Sequence, residues 1–163
     1  MHVMRRFVPG GLVVFASALA VASAPVAYAA APTPASGSFA ATISPVETRS
    51  ADGNTVINFT FVETFQGALT GTRVGSGVLL IHPDGTINVR VSGLFTGSLE
   101  GATGSAIFSD NASGTLSAFA SNFVVTDGTN GLVGIHVEGT GAGGATGPAT
   151  FAGTYSAKVT LSG

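Results

Sequence analysis

The sequence contains no cysteine, and this absence excludes several kinds of protein. No disulfide can stabilise the fold, no thiol can act as a nucleophile, and no cysteine behind an export signal can carry a lipid anchor. An exported chain of this composition must be stabilised by its hydrophobic core alone.

Positive charge is also scarce. After residue 29 the chain keeps four basic residues, Arg49, Arg73, Arg90 and Lys158, against eight acidic residues, which gives a net charge of −4. Such a balance offers nothing to neutralise the phosphates of a nucleic acid. We therefore expect no nucleic-acid partner.

The longest apolar run lies near the N-terminus and is too short for a membrane-spanning helix. A pair of arginines precedes it, the run covers Gly11–Ala20, and the small-x-small sequence Ala27-Tyr28-Ala29 follows. This order is typical of a secretory signal peptide that is cleaved after Ala29. We expect residues 1–29 to be a signal peptide helix, the protein to be secreted or periplasmic, and no membrane span to remain after cleavage. An uncleaved membrane anchor is the alternative.

The apolar spacing of amphipathic helices is absent from the rest of the chain. Residues 30–36, rich in alanine and proline, predict a linker. Residues 37–163 alternate Val, Ile, Phe and Thr with polar residues and break at Gly, Asp and Asn, which predicts one all-β domain. The predicted strands are 38–48, 54–65, 69–82, 86–98, 103–110, 114–126, 132–140 and 149–162.

An internal repeat indicates equivalent hairpins. Phe65-Gln-Gly67-Ala-Leu69-Thr-Gly71 recurs thirty residues later as Phe95-Thr-Gly97-Ser-Leu99-Glu-Gly101. Closing eight amphipathic strands on themselves removes the open edges of the sheet. We therefore expect a closed eight-stranded antiparallel up-and-down barrel, whose interior is either filled by side chains or able to hold one small ligand. A two-sheet β-sandwich is the alternative.

The pattern of glycines and phenylalanines resembles an uncharacterised family of small bacterial barrels, which is similar in fold to plant allene oxide cyclases and dirigent proteins. The resemblance covers the whole of 37–163 and rests on Glu63-Thr-Phe65-Gln-Gly67, Phe95-Thr-Gly97-Ser-Leu99-Glu-Gly101-Ala-Thr-Gly104, Gly128-Thr-Asn-Gly-Leu-Val-Gly134, Glu138-Gly-Thr140 and Gly153-Thr-Tyr155. It implies an eight-stranded barrel with a lumen. Allene oxide cyclases and dirigent proteins bind apolar substrates there and steer a ring closure or a coupling. Their catalytic residues have no counterparts that can be placed on this chain one by one.

Glu63 is the most informative polar residue of the predicted domain. It shares the alternation of the apolar residues Phe59 and Phe61, so it should point into the lumen with them. A buried carboxylate needs a partner, and Arg73 on the next strand falls on the same face as Phe95 of the strand after it. The alternative places Glu63 in water at a strand end.

These residues predict a ligand site in the lumen. Glu63 and Arg73 would orient the polar end of an apolar ligand, Tyr155 would add a hydroxyl, and apolar side chains would form the walls. The candidate residues are Glu63, Arg73, Tyr155, Phe59, Phe61 and Phe95. A purely structural ion pair is the other interpretation of Glu63 and Arg73.

Other chemistry has little support in the sequence. His82 and His136 lack the partners of a metal site, and no Gly-x-Ser-x-Gly elbow is present. The glycine-rich stretch 141–147 lacks the lysine of a phosphate loop and predicts a flexible loop. We therefore expect no cofactor and no metal.

Three functions remain. The first is a non-enzymatic exported barrel that binds a small apolar molecule or serves the cell envelope. The second is an enzyme similar to a cyclase or isomerase, in which Glu63 or Tyr155 handles a proton. The third is a structural or interaction protein with a filled barrel.

Overall fold

Eight antiparallel strands close into a barrel in the computed structural model, which describes residues 31–161. The strands are β1 Thr33–Ala51, β2 Asn54–Gly67, β3 Leu69–Ile81, β4 Thr86–Leu99, β5 Ala102–Thr115, β6 Phe119–Thr126, β7 Ile135–Gly147 and β8 Thr150–Leu161. Each strand pairs with the next along the chain, and β8 pairs with β1. The predicted closed up-and-down barrel is confirmed, and the sandwich alternative is wrong.

Helical structure in the described part of the chain is limited to one 3₁₀ turn, Asn130–Leu132. Between residues 31 and 161 no helix has the length and apolarity to cross a membrane. The predicted signal peptide, 1–29, lies outside the described residues.

The β3–β4 hairpin forms where the sequence predicts it. The carboxylate of Asp84 accepts hydrogen bonds from the backbone N–H and the hydroxyl of Thr86, at 3.0 and 2.7 Å. Gly85 adopts a φ of +82°, which a residue without Cβ adopts most easily. The His82 ring lies between the side chains of Asn54 and Asn88, at 2.9 and 2.8 Å. His82 therefore stabilises the turn from outside the lumen.

The predicted linker at 30–36 is partly wrong, because β1 begins at Thr33. Residues 33–36 pair with residues 156–159 of β8, and Ala35 is buried. β1 pairs with β2 only from Gly37 onward, so Pro34 lies at a locally open edge. Proline is tolerated there because no second strand needs its missing N–H.

The glycine-rich stretch 141–147 is also different from the prediction, since it forms the second half of β7. A Cβ on Gly143 would lie 3.0 Å from the rings of Phe39 and Phe119 and 2.5 Å from the Ala152 carbonyl oxygen. Glycine therefore makes room for two aromatic rings. Val133, which falls within the predicted seventh strand 132–140, lies before β7 and is exposed.

The lumen is filled at one end. Around the junctions of β2 with β3 and β4 with β5, the buried side chains include Leu69, Phe95 and Leu99. Leu132 of the 3₁₀ turn is fully buried and covers this end. The opposite end holds a smaller cluster with Phe59 and Ile87, surrounded by residues that are only partly buried. The barrel is therefore plugged at one end and looser at the other.

The outer face is less polar than the alternation predicts. Val62, Val74, Leu94 and Ile107 are direct cross-strand neighbours on β2 to β5, and all four are exposed. Serines and threonines flank this row on each strand. The alternation therefore describes the inner face well and the outer face only in part.

Candidate functional site

A cavity of about 100 Å³ lies in the lumen, above the plugged end. Its walls are almost entirely apolar and come from both halves of the barrel. Ile43, Leu116 and Phe151 line its outer part, where side chains are partly or fully exposed. The interior is therefore neither solid nor an open channel.

Glu63 and Arg73 meet on the wall of this cavity. They are direct partners in the register of β2 and β3, and Arg73 Nη2 lies 2.6 Å from Glu63 Oε2. Glu63 is 6% exposed and Arg73 3% exposed. Both residues therefore face the lumen and touch, and Glu63 does not lie in water at a strand end.

Arg73 reaches into the lumen because its neighbours on the inner face of β3, Gly71 and Gly75, have no side chains. Its guanidinium carbon lies 4.1 Å from the ring centre of Phe108 and 4.9 Å from that of Phe61. Aromatic faces attract a cation, and the attraction is strongest where water is excluded. The guanidinium is thus positioned by two rings as well as by Glu63.

Asp110 is a third charged residue of the site, and our sequence interpretation missed it. Its Oδ2 atom lies 4.0 Å from Arg73 Nη2, and the residue lines the cavity. Asp110 follows Ala106 and Phe108 at intervals of two on β5, so its inward orientation could have been predicted. The prediction ended the fifth strand at Asp110, whereas β5 continues to Thr115.

Ser121 was missed as well. It is buried and lines the cavity on β6, two residues before Phe123. The same alternation would have identified it.

Burial is the largest influence on the pKa values of the two carboxyl groups. It raises the pKa of Glu63 to about 7, against the opposing attraction of Arg73, and the charge of Asp110 raises this pKa further. Burial also raises the pKa of Asp110, again opposed by Arg73. Burial lowers the pKa of Arg73, although a guanidinium stays protonated at neutral pH. At neutral pH the site therefore holds one cation and at most two negative charges.

Several polar atoms of the site lack hydrogen-bond partners among the described residues. Arg73 Nε, Arg73 Nη1 and Asp110 Oδ1 are buried without one, and Glu63 Oε2 has only its ionic contact with Arg73. Each buried unsatisfied group costs about 1–3 kcal/mol, and a charged group costs more. The site therefore has unused donors and an unused acceptor at the cavity wall.

Tyr155 lines the cavity with its ring, but its hydroxyl is not free for a ligand. The hydroxyl oxygen accepts a hydrogen bond from the Leu69 N–H at 2.8 Å and donates toward the Gln66 carbonyl at 3.3 Å. Burial raises the pKa of Tyr155. The hydroxyl therefore stabilises the β2–β3 turn.

The three phenylalanines predicted to form the ligand wall lie in two different parts of the lumen. Phe59 and Phe61 line the cavity. Phe95 is not among the cavity residues, because it lies in the plugged end and packs edge-on against Phe65 at 5.9 Å between ring centres. Its predicted role in the ligand wall is therefore wrong.

His82 and His136, the two histidines of residues 31–161, lie away from the cavity. His136 is exposed and contacts Glu138 at 3.0 Å, and His82 belongs to the hairpin turn. Between residues 31 and 161 no three His, Cys, Asp or Glu side chains form a metal-binding group.

Comparison with known proteins identifies the family and the fold. A family model described as "Protein of unknown function (DUF3224)" matches residues 35–158. The crystal structure of a protein of unknown function from the DUF3224 family of Shewanella oneidensis MR-1 is similar, with a TM-score of 0.64. That protein is 16% identical, and the match covers 81% of this chain and 99% of that chain. At this identity the likeness concerns the fold alone. None of the curated proteins matches this chain.

Proposed function

The chain belongs to the DUF3224 family, whose function is unknown, and from its lumen we propose that it binds one small, largely apolar molecule. The apolar part of the ligand occupies the cavity, and its polar end lies at Glu63, Arg73 and Asp110. Phe59 and Phe61 contribute to the apolar wall.

One observation carries this proposal: two buried ionisable side chains, Glu63 and Arg73, and the partly buried Asp110 lie beside free volume in an apolar lumen. Stability alone does not account for them. Apolar side chains of similar volume often replace a buried ion pair without loss, and sometimes with a gain of about 1–4 kcal/mol. A pocket with mostly apolar walls and a few convergent polar groups is the usual form of a small-molecule site.

The place of action is part of the proposal. The signal peptide pattern at 1–29 supports a ligand that is met outside the cytoplasm, in the periplasm or beyond the cell. With cleavage after Ala29, three residues would precede β1, so the barrel would begin close to the new N-terminus.

Filling the cavity without touching the charges tests the proposal. Ala41 lines the cavity and pairs with Glu63 across β1 and β2, whereas Ala40 is exposed on the outer face of the same strand. We expect Ala41→Leu to weaken the binding of small apolar probes at least about tenfold, because the added side chain occupies their space. Ala40→Leu is the matched control and should bind like the parent.

The measurement is an NMR titration of the chain that begins at Ala30 with toluene, benzyl alcohol and short-chain ketones. Shifts of the Phe61 and Phe108 ring signals report occupation of the cavity. Absence of binding by every probe at millimolar concentration would overturn the proposal. Equal binding by the parent and by Ala41→Leu would place the probes outside the lumen and would also overturn it.

A second candidate is an enzyme that moves a proton, as the resemblance to allene oxide cyclases implies. A carboxyl group with a pKa of about 7 beside a cavity supports it, since such a group can both accept and donate a proton near neutral pH. Glu63→Gln should then keep ligand binding and lose turnover. If the parent protein leaves every bound probe and extracted ligand chemically unchanged, this candidate is removed.

The third function, a filled barrel that acts through its outer face, has less support. The cavity of about 100 Å³ and the unpartnered polar atoms on its wall favour an occupant.

A further inference from the structure

We infer that the ligand presents an uncharged hydroxyl group to the site, and that this hydroxyl lies between Arg73 and Asp110. The inference rests on the proposed function and specifies the chemical class of the ligand: a small alcohol with an apolar body.

The separation of the two side chains is the first argument. Arg73 Nη2 and Asp110 Oδ2 are 4.0 Å apart, which is too far for a direct hydrogen bond. One oxygen atom that lies about 2.8 Å from each of two polar atoms can span this distance. The arrangement therefore has room for a bridging oxygen between cation and carboxylate.

The hydrogen-bonding capacity left on Arg73 and Asp110 is the second argument. Arg73 Nε and Nη1 carry N–H groups without acceptors, and Asp110 Oδ1 is an acceptor without a donor. A hydroxyl group both accepts and donates, so one that lies between Arg73 Nη2 and Asp110 Oδ2 can accept from the guanidinium and donate to the carboxylate. A ketone or an ether accepts only and would give Asp110 no further donor.

Charge argues against the ionic alternatives. Glu63 and Asp110 already supply up to two negative charges for one cation, so a carboxylate ligand would add repulsion in a site with mostly apolar walls. An ammonium group would satisfy Asp110 but would stand beside the Arg73 guanidinium and leave its N–H groups without acceptors. A neutral group that both donates and accepts avoids these penalties.

The cavity limits the size of the buried part. Its volume of about 100 Å³ is smaller than the engineered cavity of roughly 150 Å³ that accepts benzene. The fully buried part is therefore smaller than a benzene ring, and the rest of a ring or of a longer chain would extend past Leu116 and Phe151 toward solvent. A water molecule can make the same bridge, so the apolar body must supply the advantage over water.

Four probes of nearly equal shape test the inference: benzyl alcohol, ethylbenzene, benzylamine and benzoate. Ethylbenzene replaces the hydroxyl by a methyl group, and the other two carry a positive or a negative charge. We expect the parent protein to bind benzyl alcohol at least about tenfold more tightly than any of the other three, measured by NMR titration.

Two variants connect the preference to Asp110. Asp110→Leu should abolish the preference for benzyl alcohol over ethylbenzene, and Asp110→Asn, which keeps the side-chain shape, should reduce it. Ser109→Ala changes an exposed residue on the outer face of β5 and is the control. If Asp110→Leu does not fold, Asp110→Asn alone decides, and an unchanged preference in it overturns the inference.

The outcomes separate this inference from the proposed function. Equal binding of benzyl alcohol and ethylbenzene, or tighter binding of either charged probe, overturns the hydroxyl inference and leaves lumen binding intact. Failure of all four probes, with no shift of the Phe61 or Phe108 ring signals, overturns the proposed function and the inference with it.

Discussion

The residues around Arg73 leave space for its buried guanidinium and hold it in position. Glycines on either side along the inner face of β3 leave space, and Phe61 and Phe108 present their rings to the guanidinium. A Cβ on Gly75 would lie 2.6 Å from Gly93 Cα, so β3 and β4 approach each other too closely here for any larger residue. The same glycines that allow β3 and β4 to approach each other therefore also leave space for Arg73.

Glu63 makes stability depend on pH in a direction opposite to that of most carboxylates. Its pKa is about 7 in the folded protein and 4.5 in an exposed chain, so the folded state binds the proton more tightly. Stability therefore falls as pH rises from 4.5 to 7, by on the order of 3 kcal/mol if Glu63 acts alone. Burial also raises the pKa of Asp110, which adds a loss of the same sign.

Glu63→Gln should remove most of this dependence, because the amide does not titrate. Urea unfolding at pH 5, 6, 7 and 8 measures it: the free energy of unfolding of the parent should fall across this range relative to that of the variant. Glu47→Gln, at an exposed glutamate, should follow the parent. Parallel curves for the parent and Glu63→Gln would contradict the prediction.

At the scale of the strands, most of the fold can be predicted from the sequence. The alternation of Phe59, Phe61, Glu63 and Phe65 predicts the inner face of β2 correctly, because a strand has two fixed faces. The pairing of Glu63 with Arg73 follows once the β2–β3 hairpin is assigned. These parts are local, and periodicity together with turn residues is enough to specify them.

The remaining parts depend on partners that lie far away in the sequence. The second half of β7 contains glycines, which are rare in strands, and it forms because β6, β8 and the rings of Phe39 and Phe119 fit against it. Thr33 to Ser36 form a strand because β8 pairs with them. Asp110 on β5 approaches Arg73 on β3 over the inner face of β4, a proximity that depends on the pairing of all three strands and on the curvature of the wall.

Gly37 of β1 packs closely against Tyr155 of β8, and its replacement tests this contact. It lies on β1 opposite Tyr155, and a Cβ there would collide with the Tyr155 hydroxyl and the Gln66 carbonyl. Gly37→Ala should therefore displace the tyrosine from its hydrogen bond with Leu69 and lower the free energy of unfolding by at least about 2 kcal/mol.

Tyr155 is the single tyrosine of the chain that begins at Ala30, so near-UV circular dichroism reports its environment directly. Ser38→Ala, at the exposed neighbouring position, should leave both the stability and the tyrosine signal unchanged. A Gly37→Ala protein with the parent's tyrosine signal and stability would show that the strands can move apart at little cost.

At the scale of the whole molecule, the barrel separates stability from binding along its axis. The plugged end holds the large buried cluster, the 3₁₀ turn and the Tyr155 hydrogen bonds. The other end holds partly buried side chains around the cavity. A site with unsatisfied charges can be tolerated because the large buried cluster, which includes Phe65 and Phe108 of the cavity wall, stabilises the fold.

The last prediction concerns the pairing of β1 with β8, which closes the barrel. β1 joins β8 through ten register pairs, and four of them involve Thr33 to Ser36, next to the plugged end. A chain that begins at Gly37 loses these pairs and the burial of Ala35, and it exposes the edge of β8 around Val159. Its free energy of unfolding should be on the order of 2–4 kcal/mol lower than that of a chain beginning at Ala31.

Urea unfolding of both chains measures this difference, and a chain beginning at Thr33 is the control that keeps all four pairs. Ligand binding is a separate readout, because the cavity lies toward the other end of the barrel. We expect probe binding to survive the truncation at temperatures where the shorter chain is folded. Equal stability of the two chains would show that residues 33–36 act as a linker after all, and loss of binding in a folded shorter chain would show that the two ends of the barrel are coupled.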